Sequence, residues 1–320
     1  MKENEIRPRA LFDEYLRLSL EDAQAMPRDR FVSIQCPACS GQNAVLQIEK
    51  LGFQYQRCVD CGTLYCSPRP AGSDLNQFYQ QSKSSNFWAT EFFPAVAEPR
   101  REKLFRPKAQ KVSELFFSSD SIKTVCDVGA GYGIFLEELK ALNPDLHFAA
   151  VEPGAQLAAV CRRKGLEVLE TTAEDAVEWK GRFDLVICSE VIEHVFDPES
   201  FIRSLAALCA PGGQVLLTGL GYEGFDILML QEHSNSVSPP HHLNFISVDG
   251  FRRLLQRCGL ADVEITTPGQ LDFDIVKNSQ VENEFVRVLA SRGEEAQKEF
   301  QAFLQKHRLS SHLWVWGTRK

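Results

Sequence analysis

The chain has 320 residues, with 35 Lys and Arg against 43 Asp and Glu, a formal net charge of -8, and 44% hydrophobic and 24% charged residues. At about 150 residues per domain this suits two units or one elaborated unit with a full core, and it excludes a disordered tail protein and a collagen-like repeat. No apolar run approaches the ~18 residues of a membrane helix, the first residues carry both charge signs, and the acidic balance speaks against a nucleic-acid footprint, so a cytoplasmic protein without membrane insertion is expected.

Residues 9–25 place Leu11, Tyr15, Leu18 and Leu20 at mostly helical spacing, which predicts a short amphipathic helix within an N-terminal segment 1–32. Residues 33–70 are rich in cysteine, glycine and aromatics. Here Cys36, Cys39, Cys58 and Cys61 give the pattern C-x2-C-x18-C-x2-C. Two such pairs suit knuckles that meet as a four-thiolate zinc site, with every position filled by protein and the metal therefore structural. Cys66 reads as a packed core thiol. Residues 71–120 form a helical connector or lid with a basic cluster of Arg100, Arg101, Lys103 and Arg106.

From 121 to 320 apolar strands alternate with helices: TVCDV, IFLEELKALN, LHFAAVE, AQLAAVCRRK, FDLVICS, ESFIRSLAALC and GGQVLLTGL. Alternation of this kind predicts right-handed crossovers and an α/β, Rossmann-like, mostly parallel sheet with helices on both faces. The remainder supplies a helix (VDGFRRLLQRCG), a strand (DVEITT), a helical insert at about 270–310 and a last strand, SHLWVWGTRK.

TVCDV runs into Gly129-Ala130-Gly131-Tyr132-Gly133, a glycine loop that lets a ligand approach the backbone at the carboxyl edge of a sheet. The spacing is G-x-G-x-G rather than the G-x-G-x-x-G of dinucleotide sites. Asp127 precedes the loop, and Glu152 ends the next strand, placed to accept both hydroxyls of a ribose. Acidic residues at both strand ends suit a ligand with ammonium and sulfonium groups.

These segments resemble the class I S-adenosylmethionine-dependent methyltransferases. VCDVGAGYG is similar to their first motif, AAVEP to the acidic second, TTAED to the adenine loop, FDLVICSEVIEHVFDP to the fourth strand with its turn, and APGGQVLLTG to the fifth strand. The resemblance implies a seven-stranded sheet with an antiparallel last strand. It assigns the methionyl part of the cofactor to Gly129 and Gly131, the ribose to Glu152 and the adenine to Ala173 and Glu174. Asp127, Ala130, Gly133, Pro153, Ser189 and Glu190 complete the expected cofactor set. The leading ribbon also resembles sugar C-methyltransferases, which carry a Glu-His pair and a later tyrosine after the fifth strand. Here His242 matches their base, whereas His241 stands at the glutamate and Phe245 at the tyrosine.

Methyl transfer needs aligned reactants and a base where the nucleophile must lose a proton. His242, His241 and His194 are the candidates for that role, because imidazole titrates near neutrality. Glu190-x-x-Glu193-His194 is similar to a run that holds a divalent cation in a quinone-type O-methyltransferase branch, although cofactor contact or pocket shaping is the plainer reading. Tyr222, Glu223 and Asp226 are expected at the acceptor, and Arg100, Arg101 and Arg106 could grip its phosphate or carboxylate or be solvated charges. Asp272 and Asp274 have no assigned role. The expected activity is methyl transfer to a small sugar-related acceptor. The alternatives are an rRNA-type nucleic-acid methyltransferase with a ribbon and a non-catalytic protein of the same fold.

Overall fold

The computed structural model describes residues 2–118 and 121–320. Helix α1 (Arg9–Ala25) opens the chain. Strands β1 (Ala44–Lys50), β2 (Phe53–Cys58) and β3 (Leu64–Cys66) then form an antiparallel meander. The connector begins with α2 (Gly72–Gln81) and continues through 83–116 as α3 (Lys83–Phe87), α4 (Phe93–Arg100) and α5 (Arg106–Phe116), joined by π turns at Trp88–Phe92 and Arg101–Phe105. Pro94, Pro99 and Pro107 lie in this run. Each lacks an N–H for the helical ladder, which accounts for a helix that continues only by widening its turns.

The larger sheet follows from the apolar runs. Strands β4 (Thr124–Val128), β5 (His147–Val151), β6 (Glu167–Leu169), β7 (Phe183–Ser189) and β8 (Cys209–Leu220) are parallel neighbours, and α6 (Ile134–Leu142), α7 (Ala155–Arg163) and α8 (Pro198–Leu208) lie between them in sequence. Later come α9 (Phe225–Leu230), β9 (Asn244–Phe245), α10 (Val248–Arg257), β10 (Leu260–Thr266), three helices α11 (Asp272–Asn278), α12 (Glu284–Ser291) and α13 (Glu294–Lys306), and β11 (His312–Arg319). The strand order is β10-β11-β8-β7-β4-β5-β6, with β11 antiparallel to both neighbours. This is the seven-stranded sheet expected from the sequence.

Alternation sorts the side chains onto two faces. Cys126 and Val128 of β4 pack with Phe201 and Ile202 of α8 and Leu254 of α10, while Val125 packs with Val112 of α5 and Leu136 of α6. Strand order reverses between β4 and β7, so a crevice opens beyond their carboxyl ends.

Short β9 belongs to neither the expected strands nor the large sheet. It pairs with β3 and extends the cysteine-bearing meander to four strands.

The basic cluster has a structural part. Arg101 donates to Glu137 and Glu138 (2.8 and 2.6 Å), and Arg106 donates to Glu138 (2.9 Å), clamping the connector onto α6. Burial disfavours ionised Glu138, but hydrogen bonds from Arg101 and Arg106 outweigh it and hold the carboxyl below its ordinary range. Such a group adds stability above the unfolded-state pKa of ~4.5, and the gain is lost as pH falls through the lower folded value. Glu138→Gln is therefore expected to lower unfolding free energy by about 1–2 kcal/mol at neutral pH, a difference that shrinks in acid. Urea midpoints of both proteins across that range check this.

Candidate active site

The glycine loop forms one wall of the crevice. Gly129 and Gly131 adopt φ of +77° and +56°, the left-handed region that side chains disfavour. A Cβ on Gly129 would come 2.8 Å from Val191, whereas one on Gly131 would meet nothing within 4 Å, so the loop offers bare backbone to open space. Ala130 packs toward α6, and Gly133 caps that helix.

Glu152, 5% exposed, accepts from the amides of Gly131 (2.8 Å) and Gly154 (2.9 Å) on either side of Pro153 and the loop. Burial raises its pKa against those two bonds. Asp127 is buried, and its Oδ1 lacks a hydrogen-bond partner among the described residues. Burial pushes its carboxyl up to about 7, with Lys108 opposing and Glu152 reinforcing. Two buried acids beside exposed backbone fit a ligand that brings hydroxyls and positive charge, as S-adenosylmethionine does. Ala173 and Glu174 lie beyond β6 and line a cleft of about 250 Å³ with Lys180, Ser200 and Arg203.

The opposite wall is the turn after β7. Lys108 of α5 donates to Ser189 and Thr218 (both 2.8 Å), and its buried ammonium has a lowered pKa. Thr218 in turn donates to Glu190 (2.9 Å), whose other oxygen lies 3.3 Å from Nδ1 of His312. Burial opposes ionisation of Glu190, but the charge and hydrogen bond of His312 outweigh it and hold the carboxyl below its ordinary range. Glu190 and His312 keep 42% and 38% of their side chains exposed to solvent, so they line an open hollow rather than a packed core.

The histidines divide by orientation. Nδ1 of His242 lies 2.6 Å from the Ser236 carbonyl, which can only accept, so that nitrogen carries the proton and Nε2 keeps a free lone pair. Burial, with His194 adding, lowers His242 to about 3, leaving the ring neutral. Nδ1 of His194 faces the His241 carbonyl (2.9 Å) and the Tyr79 hydroxyl (3.0 Å), and its ring centroid is 4.8 Å from that of His242. Glu193, His194 and His242 each offer a ligand atom within 4.8 Å of the others. Burial, then Glu190, raises Glu193 well above the ordinary carboxylate range. Glu190 is not in that trio.

His241 turns toward the connector. Ser84 gives its hydroxyl proton to Asp22 (2.5 Å), so Nε2 of His241 donates to Ser84 (2.9 Å), and the ring packs on Tyr15, Phe78 and Tyr79. Glu223 accepts from the Val248 amide at the start of α10 (2.7 Å), and Asp226 is fully buried near Asp272. Asp272 accepts from Gln301, Ser310 and the Ser311 amide (2.6, 2.5 and 2.7 Å). It thereby fixes the residues just before His312.

The four paired cysteines converge. Cys36 and Cys61 sulfurs are 3.6 Å apart, Cys39 and Cys58 are 3.5 Å apart, and all four lie within 4.8 Å of one another. Tetrahedral zinc with ~2.3 Å bonds to sulfur needs edges of ~3.8 Å, so the donor set fits that ion. Cys66 is buried elsewhere, bonded to the Pro68 carbonyl.

Sequence reading missed Lys108, His312 and Arg69. Lys108 prolongs the basic cluster, and Arg69 lies in the CSPRP segment, but only tertiary contacts give them work.

The family model for "Methyltransferase domain" matches residues 100–265, just over half of the chain. Ubiquinone biosynthesis O-methyltransferase of Escherichia coli O127:H6 is 35% identical over 114 residues, covering 33% of this chain and 47% of that protein. The same figures hold for the protein of that name from Shigella boydii serotype 18. The chain thus spans about half the length of the curated relatives it matches. Two solved structures share the fold at a TM-score of 0.50. One is a chain of the Haloferax volcanii complex between the Trm112 methyltransferase activator and a methyltransferase, 15% identical, covering 72% of this chain and 95% of that one. The other is the plantazolicin methyltransferase BpumL in complex with a substrate analogue and S-adenosylhomocysteine, 10% identical, covering 77% and 95%. With this fold and family match, the chain belongs to the methyltransferase-domain family.

Proposed function

We propose that the enzyme methylates a small sugar, nucleotide-sugar or related metabolite in the cytoplasm, with His242 taking the proton from the acceptor. The observation that carries this reading is the fixed tautomer of His242, whose Nδ1 is held by the Ser236 carbonyl so that Nε2 keeps its lone pair. A hydroxyl acceptor needs such a base, and the fixed tautomer presents it without rearrangement. In this reading S-adenosylmethionine supplies the electrophilic methyl group. Glu152 would hold its ribose, Gly129 and Gly131 its methionyl part, Asp127 its positive charge, and Ala173 with Glu174 its adenine. Ser189 and Glu190 would shape the space between cofactor and acceptor, and His194 would keep the His242 ring in place. The four cysteines would hold a structural zinc.

A second reading has its own observation. Glu193, His194 and His242 present donors suited to a divalent cation. Together with the ubiquinone-pathway name of the partial relatives, this supports O-methylation of a hydroxylated ring.

Calorimetry should show S-adenosylmethionine binding that Glu152→Ala weakens about tenfold or more. Methyl-labelled cofactor, offered with nucleotide sugars, glycans and catechols, should label a sugar-class acceptor. His242→Ala should bind cofactor normally and transfer no label. Label on catechols alone would favour the second reading, and unchanged transfer by His242→Ala would reject the base. Metal analysis should find about one zinc per chain. Stripping it with a chelator should cut transfer while cofactor binding persists, and metal-free protein of full activity would remove the ribbon's metal.

A further inference from the structure

Two arginines reach the hollow with donors that the fold leaves unused. Arg7 arrives on the N-terminal arm, which Asp274 and Lys103 tie down: the Glu3 amide donates to Asp274 (2.9 Å) and Lys103 to Glu5 (2.7 Å). Ile6 is 3% exposed, so the arm is packed rather than loose. Asp274 thus acquires a purpose that its sequence context did not show.

Arg100 comes from α4. Its guanidinium lies 5.7 Å from the ring centres of both Trp88 and Phe93, and Phe93 stacks on Tyr132 of the glycine loop at 4.6 Å and 5°. One aromatic layer therefore separates Arg100 from the cofactor loop. Arg7 lies 5.4 Å from the centre of Phe12. Phe12 lies 6.3 Å from Phe92, which stacks on Trp88 at 4.4 Å, so Arg7 and Arg100 flank one aromatic cluster, and Tyr15 of that cluster packs on both Trp88 and His241.

The Nε of each arginine is buried without a hydrogen-bond partner among the described residues. Arg100 forms no ion pair among them, and Arg7 has only Glu3 at 3.6 Å, beyond hydrogen-bond reach. Glu190 acts on Arg100 electrostatically but is already committed to Thr218 and His312. Arg101, Lys103 and Arg106, from the same stretch, each hold a carboxylate at 2.6–2.8 Å. Within the cluster of Arg100, Arg101, Lys103 and Arg106, the missing counter-charge is thus particular to Arg100 among the described residues. Guanidinium groups drawn out of water beside one another are unfavourable unless an anion completes them. Their planar donor forks match the two oxygens of a carboxylate or a phosphoryl group.

We propose that Arg7 and Arg100 together bind an oxyanion of the acceptor, a carboxylate or a phosphoryl group, so that this enzyme selects anionic substrates. The inference deepens the acceptor reading above and rests on it for the identity of the hollow. The anion would be clamped between the arm and α4, turning the reacting hydroxyl toward His242.

Titration calorimetry with pyrophosphate in one arm and malonate in the other tests this, with and without S-adenosylhomocysteine. At least one anion should bind, and Arg7→Gln and Arg100→Gln should each weaken it about tenfold or more. Arg100→Lys should lose less, and S-adenosylhomocysteine affinity should not change. The stronger arm distinguishes a phosphoryl from a carboxylate source. Absence of binding in both arms, or binding undiminished in both Gln variants, would overturn the proposal. If Arg100→Gln fails to fold, Arg7→Gln decides, because the arm lies outside the core sheet. Oxyanion binding through both arginines in a protein that ignores S-adenosylhomocysteine would instead sink the methyltransferase reading and leave the anion site standing.

Discussion

The arrangement of the candidate site hangs on the backbone of one residue, Leu243. The amide of Leu243 donates to the Glu193 carbonyl (2.7 Å), and its own carbonyl accepts from the Cys66 amide (2.8 Å). Through it the turn after β7, the histidine loop and the cysteine-bearing meander become a continuous hydrogen-bonded layer. Pairing of Leu64 with Phe245 and Tyr65 with Asn244 extends the layer by one register step. His242 directly precedes Leu243, so its position follows from the strand pairing rather than from its own side-chain contacts alone.

Arg69 locks the layer from beneath. It is fully buried and donates to the carbonyls of Cys66, Phe196 and Leu243 (2.8, 3.0 and 3.4 Å) and to Asn244 Oδ1 (2.9 Å). Burial lowers its pKa to about 10, so it remains charged at neutral pH. Every acceptor is a carbonyl oxygen, and each would cost about 1–3 kcal/mol if left buried and unpaired. Tyr55 adds a bond to the His242 carbonyl (2.7 Å), and Ser247 ties α10 to the Cys61 carbonyl. The ribbon is therefore part of the frame of this site: a metal that orders the cysteine knuckles would also order the loop that carries His242.

Much of this was legible in the sequence because it depends on local pattern. TVCDV and FDLVICS read as strands because buried parallel strands are continuous apolar runs, and the left-handed glycines marked the cofactor loop. The four cysteines declared themselves by spacing. Short β6 and β9 were not readable, since two or three residues carry no period and exist only through their neighbours. His242 was the favoured base in the sequence, and the structure separates it from His241 by partners that no local pattern shows: Nδ1 of His242 meets the Ser236 carbonyl, whereas Nε2 of His241 meets Ser84 of the connector. The basic cluster looked uniform for the same reason: nothing local says that Arg101 and Arg106 meet carboxylates of α6 while Arg100 does not. Arg7 and Asp274 are 267 positions apart, and their shared role appears only once the chain is folded.

The most direct measurement of the central claim is amide hydrogen exchange over residues 241–246 in the parent protein and in Arg69→Met. The account predicts that the variant loses protection at Leu243 and across β9 while the glycine loop and β4 keep theirs. Unchanged protection of Leu243 in a folded Arg69→Met protein would contradict it.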